Sequence, residues 1–135
     1  MKKKLIKLEV PPEKSLFYAI SCQNPLHKIA WQINKELSLQ LKDSEGIHKD
    51  ELVFPAHMDD VSFPDFSILI VQNKLEASIL LKDLPNIDYI IKFQGNISAN
   101  AAKEIVDKLK KTPSIVAVIA IDTKKIKSIN ILQSL

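Results

Sequence analysis

Three groups of residues carry side chains that could do chemistry. Cys22 and His27 lie close in sequence and would be the thiol and base of a nucleophilic enzyme. Cys22 ends a predicted strand and His27 opens a predicted helix, so the two could meet. Yet no glycine that could build an oxyanion hole lies near, and no third residue orients the histidine. A small, half-buried cysteine is the plainer reading. His57-Met58-Asp59-Asp60, with His48 and Asp50 nearby, offers imidazole and carboxylate ligands suited to zinc or manganese. Their spacing matches no ligand pattern, and a solvated polar loop is preferred. Asp88-Tyr89 falls on a predicted strand, so its side chains point to opposite faces. If Tyr89 faces the core, Asp88 is either a ligand-binding carboxylate or, the preferred reading, an anchor for a turn or backbone amide near Pro85-Asn86. No catalytic residue, metal or cofactor is assigned.

Composition narrows the choices further. The chain has 135 residues, 46% apolar and 26% charged, which suits one globular domain spanning 1–135. Its 19 basic residues are all lysine. Arginine's planar fork is the usual bidentate reader of guanine edges and phosphates, so a sequence-specific nucleic-acid reader is not expected. A net charge of +3 adds little to nonspecific phosphate contact. The clusters Lys2-Lys3-Lys4 and Lys124-Lys125-Ile126-Lys127 read as solvated ends. The only glycines are Gly46 and Gly95, which excludes a glycine-rich phosphate loop. A single cysteine cannot form an internal disulfide. Lys7 and Glu9 interrupt the apolar N-terminal stretch before it reaches signal-peptide length. The longest uncharged run, Thr112 to Ile121, is too short to span a bilayer. A cytoplasmic location, without membrane, is expected.

These residues need elements to position them. Lys4 to Glu9 reads as a strand ended by Pro11-Pro12, and Leu16 to Ser21 as its hairpin partner. Asn24-Pro25 predicts a helix start, with Asn24 as cap and Pro25 as the first helical residue. Leu26, Ile29, Ala30, Ile33 and Leu37 then form one apolar stripe on a helix reaching about Leu39. Lys42 to Glu51 reads as loop, Leu52 to Ala56 as a short strand and His57 to Ser62 as loop. Phe66 to Val71, Ala77 to Leu81 and Ile87 to Phe93 read as an antiparallel meander. Ser98 caps a second helix with Ala102, Ile105, Val106 and Leu109 on one face. Pro113 stops it. Ser114 to Ile121 is the most apolar segment and is expected at the sheet centre. The tail 122–135 suits either a helical turn or an extended end. The whole predicts an α+β fold: a mostly antiparallel sheet of about six or seven strands covered by two amphipathic helices.

Leu81-Lys82-Asp83-Leu84-Pro85-Asn86-Ile87-Asp88-Tyr89 resembles the signature of the IPExxxVDY family of small bacterial proteins. Leu81, Ile87, Asp88 and Tyr89 fit the pattern. Lys82 stands where the family has proline and Asp83 where it has glutamate. Ala30-Trp31-Gln32-Ile33-Asn34-Lys35 and the strand with lysine-rich turn from Ser114 to Lys127 are similar too. The resemblance implies no activity, cofactor or catalytic residue.

Trp31 departs from the helical pattern. At 100° per residue it falls about 120–140° from the centre of the apolar stripe, on a flank with His27, Asn34 and Ser38. Either a loop, 42–65, folds over it, which is the favoured expectation, or it is presented to a partner. Taken together, the residues suggest a non-enzymatic cytoplasmic interaction module that self-associates, or binds another protein, through His27, Trp31, Asn34 and Ser38. The alternative is a small-molecule-binding regulatory domain, because the last β-α-β unit is similar to half of a ferredoxin-like fold.

Overall fold

The computed structural model describes residues 15–126. The predicted strand Lys4–Glu9 and the tail beyond Ile126 lie outside them. Strand β1 (Ser15–Cys22) leads into helix α1 (Leu26–Leu37). Four short strands follow: β2 (Lys42–Asp43), β3 (Ile47–Lys49), β4 (Leu52–Phe54) and β5 (Ala56–Asp59). Then come β6 (Phe66–Gln72), the two-residue strands β7 (Lys74–Leu75) and β8 (Ser78–Ile79), and β9 (Tyr89–Gly95). Helix α2 (Ala99–Lys110), β10 (Ile115–Ala120) and a 3-10 turn (Thr123–Lys125) complete the described chain.

Six strands form one antiparallel sheet in the order β10-β1-β9-β6-β5-β2. Reduced to β1-α1-β6-β9-α2-β10, the chain is a βαββαβ unit. Its four main strands lie in the spatial order fourth, first, third, second. That is the ferredoxin-like split βαβ arrangement, and it covers both halves of the core. The fold is α+β, as the apolar patterning predicts.

Period-two alternation divides the sheet's side chains between two cores. On the helix side, Ile20, Ile68, Ile70, Ile91 and Phe93 meet Ile29, Ile33, Val106 and Leu109 from the helices. On the opposite side, Phe17, Leu69, Val71 and Ile90 are covered by Ile47, Phe54, Leu80 and Leu81. Both faces of β6 and β9 are therefore buried, which explains their nearly continuous apolar sequence. Lys92 is buried on the second face beside the Phe17 ring.

Several expectations need correction. Ser114–Ile121 is not central: among the described residues, β10 pairs only with β1, at the sheet edge. Ile115 and Val118 are buried, whereas Val116 and Ile119 point to solvent. Among the described residues, Ile115 and Val118 meet the helix-side core and Ile121 is partly buried against the second, so the rest of the run's apolar surface stays open. The predicted antiparallel meander keeps only its outer strands, which pair directly as β6 and β9. Ala77–Leu81 does not join the main sheet, and β7 and β8 form a separate small hairpin. Lys42–Glu51 contains β2 and β3 rather than loop alone, and β5 extends through His57 to Asp59. Leu52–Ala56 is split between β4 and β5, with Pro55 between them. Helix α1 starts at Leu26, with Pro25 in the cap position and no side-chain cap bond. Ser98 does cap α2, accepting the Ala101 N–H at 3.1 Å. No helix among the described residues is long and apolar enough to cross a membrane.

Candidate functional site

Trp31 stands out from the outer side of α1, 61% exposed. Loop 42–65 does not cover it, contrary to expectation. The residues of that segment are committed elsewhere: Ile47 and Phe54 fill the core on the far side of the sheet, and β2 and β5 extend its edge. Leu26, Ile29, Ala30 and Ile33 of α1 are buried against the sheet, so Trp31 projects away from them. The Lys35 ammonium lies over its ring, 5.2 Å from the centroid. This cation–π contact lies over the ring while the side chain as a whole stays exposed.

The other three residues of the flank have different roles. His27 and Ser38 are exposed. Ser38 closes α1 in the left-handed region at φ 57°. Asn34 is half-buried and turns inward. Its amide nitrogen donates to the Leu41 carbonyl at 3.0 Å, and its oxygen accepts the Leu41 N–H at 2.8 Å. Asn34 thus holds the chain leaving α1, while Trp31, His27 and Ser38 face solvent.

Asp88 and Tyr89 form a second constellation, where the end of β1 meets the start of β9. One Asp88 oxygen accepts the Cys22 N–H at 2.8 Å, and the other meets Lys74 Nζ at 3.2 Å. Tyr89 is buried on the helix side, and its hydroxyl donates to the Asn24 carbonyl. Burial pushes the phenol up to about 12, and the neighbouring Cys22 and Asp88 add to the shift. An open cleft of about 470 Å³ lies here, lined by residues 22–25 with Gln72, Lys74, Asp88 and Tyr89.

Asn73 is the residue that sequence reasoning missed. It is fully buried at the end of β6. Its side-chain amide donates to the carbonyls of Leu84 and Ile87 at 2.8 and 2.9 Å, and its oxygen accepts the Leu81 N–H at 2.8 Å. Its backbone bonds Asp88 and Leu80. One asparagine thereby shapes the whole 80–88 loop. It stands between an apolar run and a lysine, a setting that carries no local sign of these bonds. Only the distant carbonyls it serves reveal the larger role.

The remaining candidates are kept apart. The Cys22 thiol is buried and donates to the Ser114 hydroxyl at 3.6 Å, which donates to Gln32 at 2.6 Å. His27 lies on the exposed face of α1 and takes no part in this chain of bonds. Asp59 is buried at the end of β5, where it accepts the N–H groups of Gln40, Val61 and Ser62 at 2.9, 3.0 and 2.9 Å. It organises a turn between strands. Among the described residues, no three His, Cys, Asp or Glu side chains come together as a metal site.

Neither the protein-family models nor the curated proteins contain a match to this chain.

Proposed function

We propose that this chain is a non-enzymatic, cytoplasmic protein-interaction module that self-associates through the outer face of α1. The observation that carries the reading is Trp31, 61% exposed on a helix whose opposite face is buried in the core. Tryptophan offers a large apolar area at little cost in side-chain freedom, and it is enriched among residues that dominate binding energy. Here it belongs to neither buried core, and a contact outside the monomer would bury it. His27 and Ser38 supply polar groups beside it, and Asn34 fixes the turn that follows. The test is native mass spectrometry over a range of concentrations, for the wild type and Trp31→Ala. An exposed side chain should be removable within about 0.5 kcal/mol of stability. The variant should therefore keep its circular dichroism and melting temperature but associate at least tenfold more weakly. A wild type that stays monomeric at high micromolar concentration would remove the reading.

We also propose membership of the IPExxxVDY family. The four signature positions that match all hold the fold. Leu81 and Tyr89 are buried, Ile87 packs against the second core and Asp88 binds the Cys22 amide. Such positions explain how a family could share this motif without sharing a reaction.

The cleft beside Asp88 favours a second reading, a small-molecule-binding regulatory domain. Its volume falls in the range of ligand sites, and Lys74 provides a cation at its wall. A metabolite panel in a thermal-shift assay separates the two readings, because a ligand of the native state must raise the melting temperature. Loss of that shift in Lys74→Ala would place the ligand in this cleft.

A further inference from the structure

A hollow of about 290 Å³ opens between the C-terminal end of α1 and the N-terminal half of α2. Leu37, Leu39, Phe63, Phe66 and Ile105 line it, and Glu104 stands at its mouth. Phe63 and Phe66 are stacked, with ring centroids 4.3 Å apart and planes within 16°. This wall of parallel rings suits a flat aromatic guest.

We infer that the guest is Trp31 of a second copy of this chain, the two copies exchanging tryptophans about a two-fold axis. The inference rests on the self-association proposed above and names its contact. Knob and hollow lie on the same helix layer. Each helix follows its strand, and β1 and β9 are antiparallel, so the end of α1 adjoins the start of α2. Trp31 and Leu37 are separated by about 9 Å along α1, at about 1.5 Å rise per residue. A two-fold axis crossing α1 between them sets each indole over the other copy's hollow. Such isologous contacts close on themselves and need only one patch.

Charge favours the same arrangement. Lys35 travels with the Trp31 ring, 5.2 Å from its centroid, and meets the hollow at its Glu104 rim. The ammonium thus approaches a carboxylate of the partner as the indole enters. Lys108 stands on the same wall one turn further along α2, beyond Glu104.

Trp31 is the chain's only tryptophan, so its fluorescence reports this contact directly. On raising the concentration through the association range, its emission should shift to the blue and acrylamide quenching should fall. Glu104→Lys and Lys35→Glu should each weaken association about 2–5-fold, the effect of an exposed ion pair. Both sites are on the surface, so the fold should persist. The double exchange, Lys35→Glu with Glu104→Lys, should restore the wild-type constant. Ile105→Glu should weaken association at least tenfold, provided its circular dichroism is that of the wild type. A dimer whose tryptophan emission and quenching do not change with concentration would overturn this inference and leave self-association standing. So would a double exchange that fails to recover what the single changes lost. A chain that never dimerises would overturn both.

Discussion

The Asp88 carboxylate accepts the backbone N–H of Cys22 at 2.8 Å, joining the start of β9 to the last residue of β1. The two residues are neighbours only through the sheet. The amide lies at a strand end, where the ladder between β1 and β9 has run out, and the carboxylate continues that ladder by one bond. A second oxygen holds Lys74 at 3.2 Å.

Asp88→Ala should therefore lower unfolding stability by about 1.5–3 kcal/mol, the worth of a hydrogen bond to a charged group. Lys74→Ala removes only the more exposed ion pair and should cost less than about 1 kcal/mol. Urea unfolding of both variants measures the two effects. Equal losses would show that Asp88 acts through Lys74 and not through the Cys22 amide.

Asn34 and Ser38 sit on the same flank of α1 but should respond in opposite directions. Asn34→Ala removes both bonds to Leu41 and leaves a partly buried amide and carbonyl without their partner. The expected loss is about 1–3 kcal/mol. Ser38 occupies the left-handed region at φ 57°, which glycine adopts without a steric penalty. Ser38→Gly should raise stability by up to about 1 kcal/mol. Thermal unfolding of the two variants supplies the comparison, and a destabilised glycine variant would contradict the account of this helix end.

The two helices and the main strands were legible because burial imposes a period. Leu26, Ile29, Ala30 and Ile33 repeat at helical spacing and are buried. Phe66 to Val71 reads as a buried strand and lies within β6. Position in the sheet was less legible. Ile115-Val116-Ala117-Val118-Ile119-Ala120 looks central because hydrophobicity counts residues and not neighbours; only Ile115 and Val118 find a core. Trp31 misled in the other direction. A tryptophan's usual burial argued for a covering loop, but Ile47 and Phe54 of that loop are drawn to the opposite face of the sheet. Asp88 was found as half of a signature, yet its partner amide belongs to β1 and has no local trace. Asn73 carried no visible signal, because its bonds run to Leu81, Leu84 and Ile87 through a loop whose path no periodicity encodes.

Tyr89 gives a spectroscopic test of the packing between β9 and α1. Its phenol is raised to about 12, first by burial and then by Cys22 and Asp88. The unfolded phenol titrates near 10. The neutral side chain therefore contributes stability that is complete below about pH 10 and is lost as the pH rises towards 12. The chain has only two tyrosines, so the absorbance titration of wild type minus Tyr89→Phe isolates this group. Its ionisation should appear near pH 12, or coincide with alkaline unfolding. A midpoint near pH 10 in the folded protein would mean that the ring is hydrated and the bond to Asn24 is not maintained.

Asp59 provides the matching test in acid. Burial by itself would raise its carboxyl, but the Ser62, Gln40 and Val61 donors outweigh burial and hold it below the ordinary aspartate range. A folded value below the unfolded one gives stability that is full above about pH 3.9 and disappears as the pH falls through the folded value. Asp59→Asn replaces one acceptor oxygen with an NH₂ group that meets a backbone N–H instead of accepting from it. At pH 7 the variant should be less stable by about 1–3 kcal/mol. Below about pH 4 the gap should narrow, because the wild type loses its charged acceptor and the variant has none to lose. Urea unfolding of the pair between pH 2.5 and 7 measures that gap directly. A gap of constant size would show that the shape of the side chain, and not its charge, holds the turn between Asp59 and Ser62.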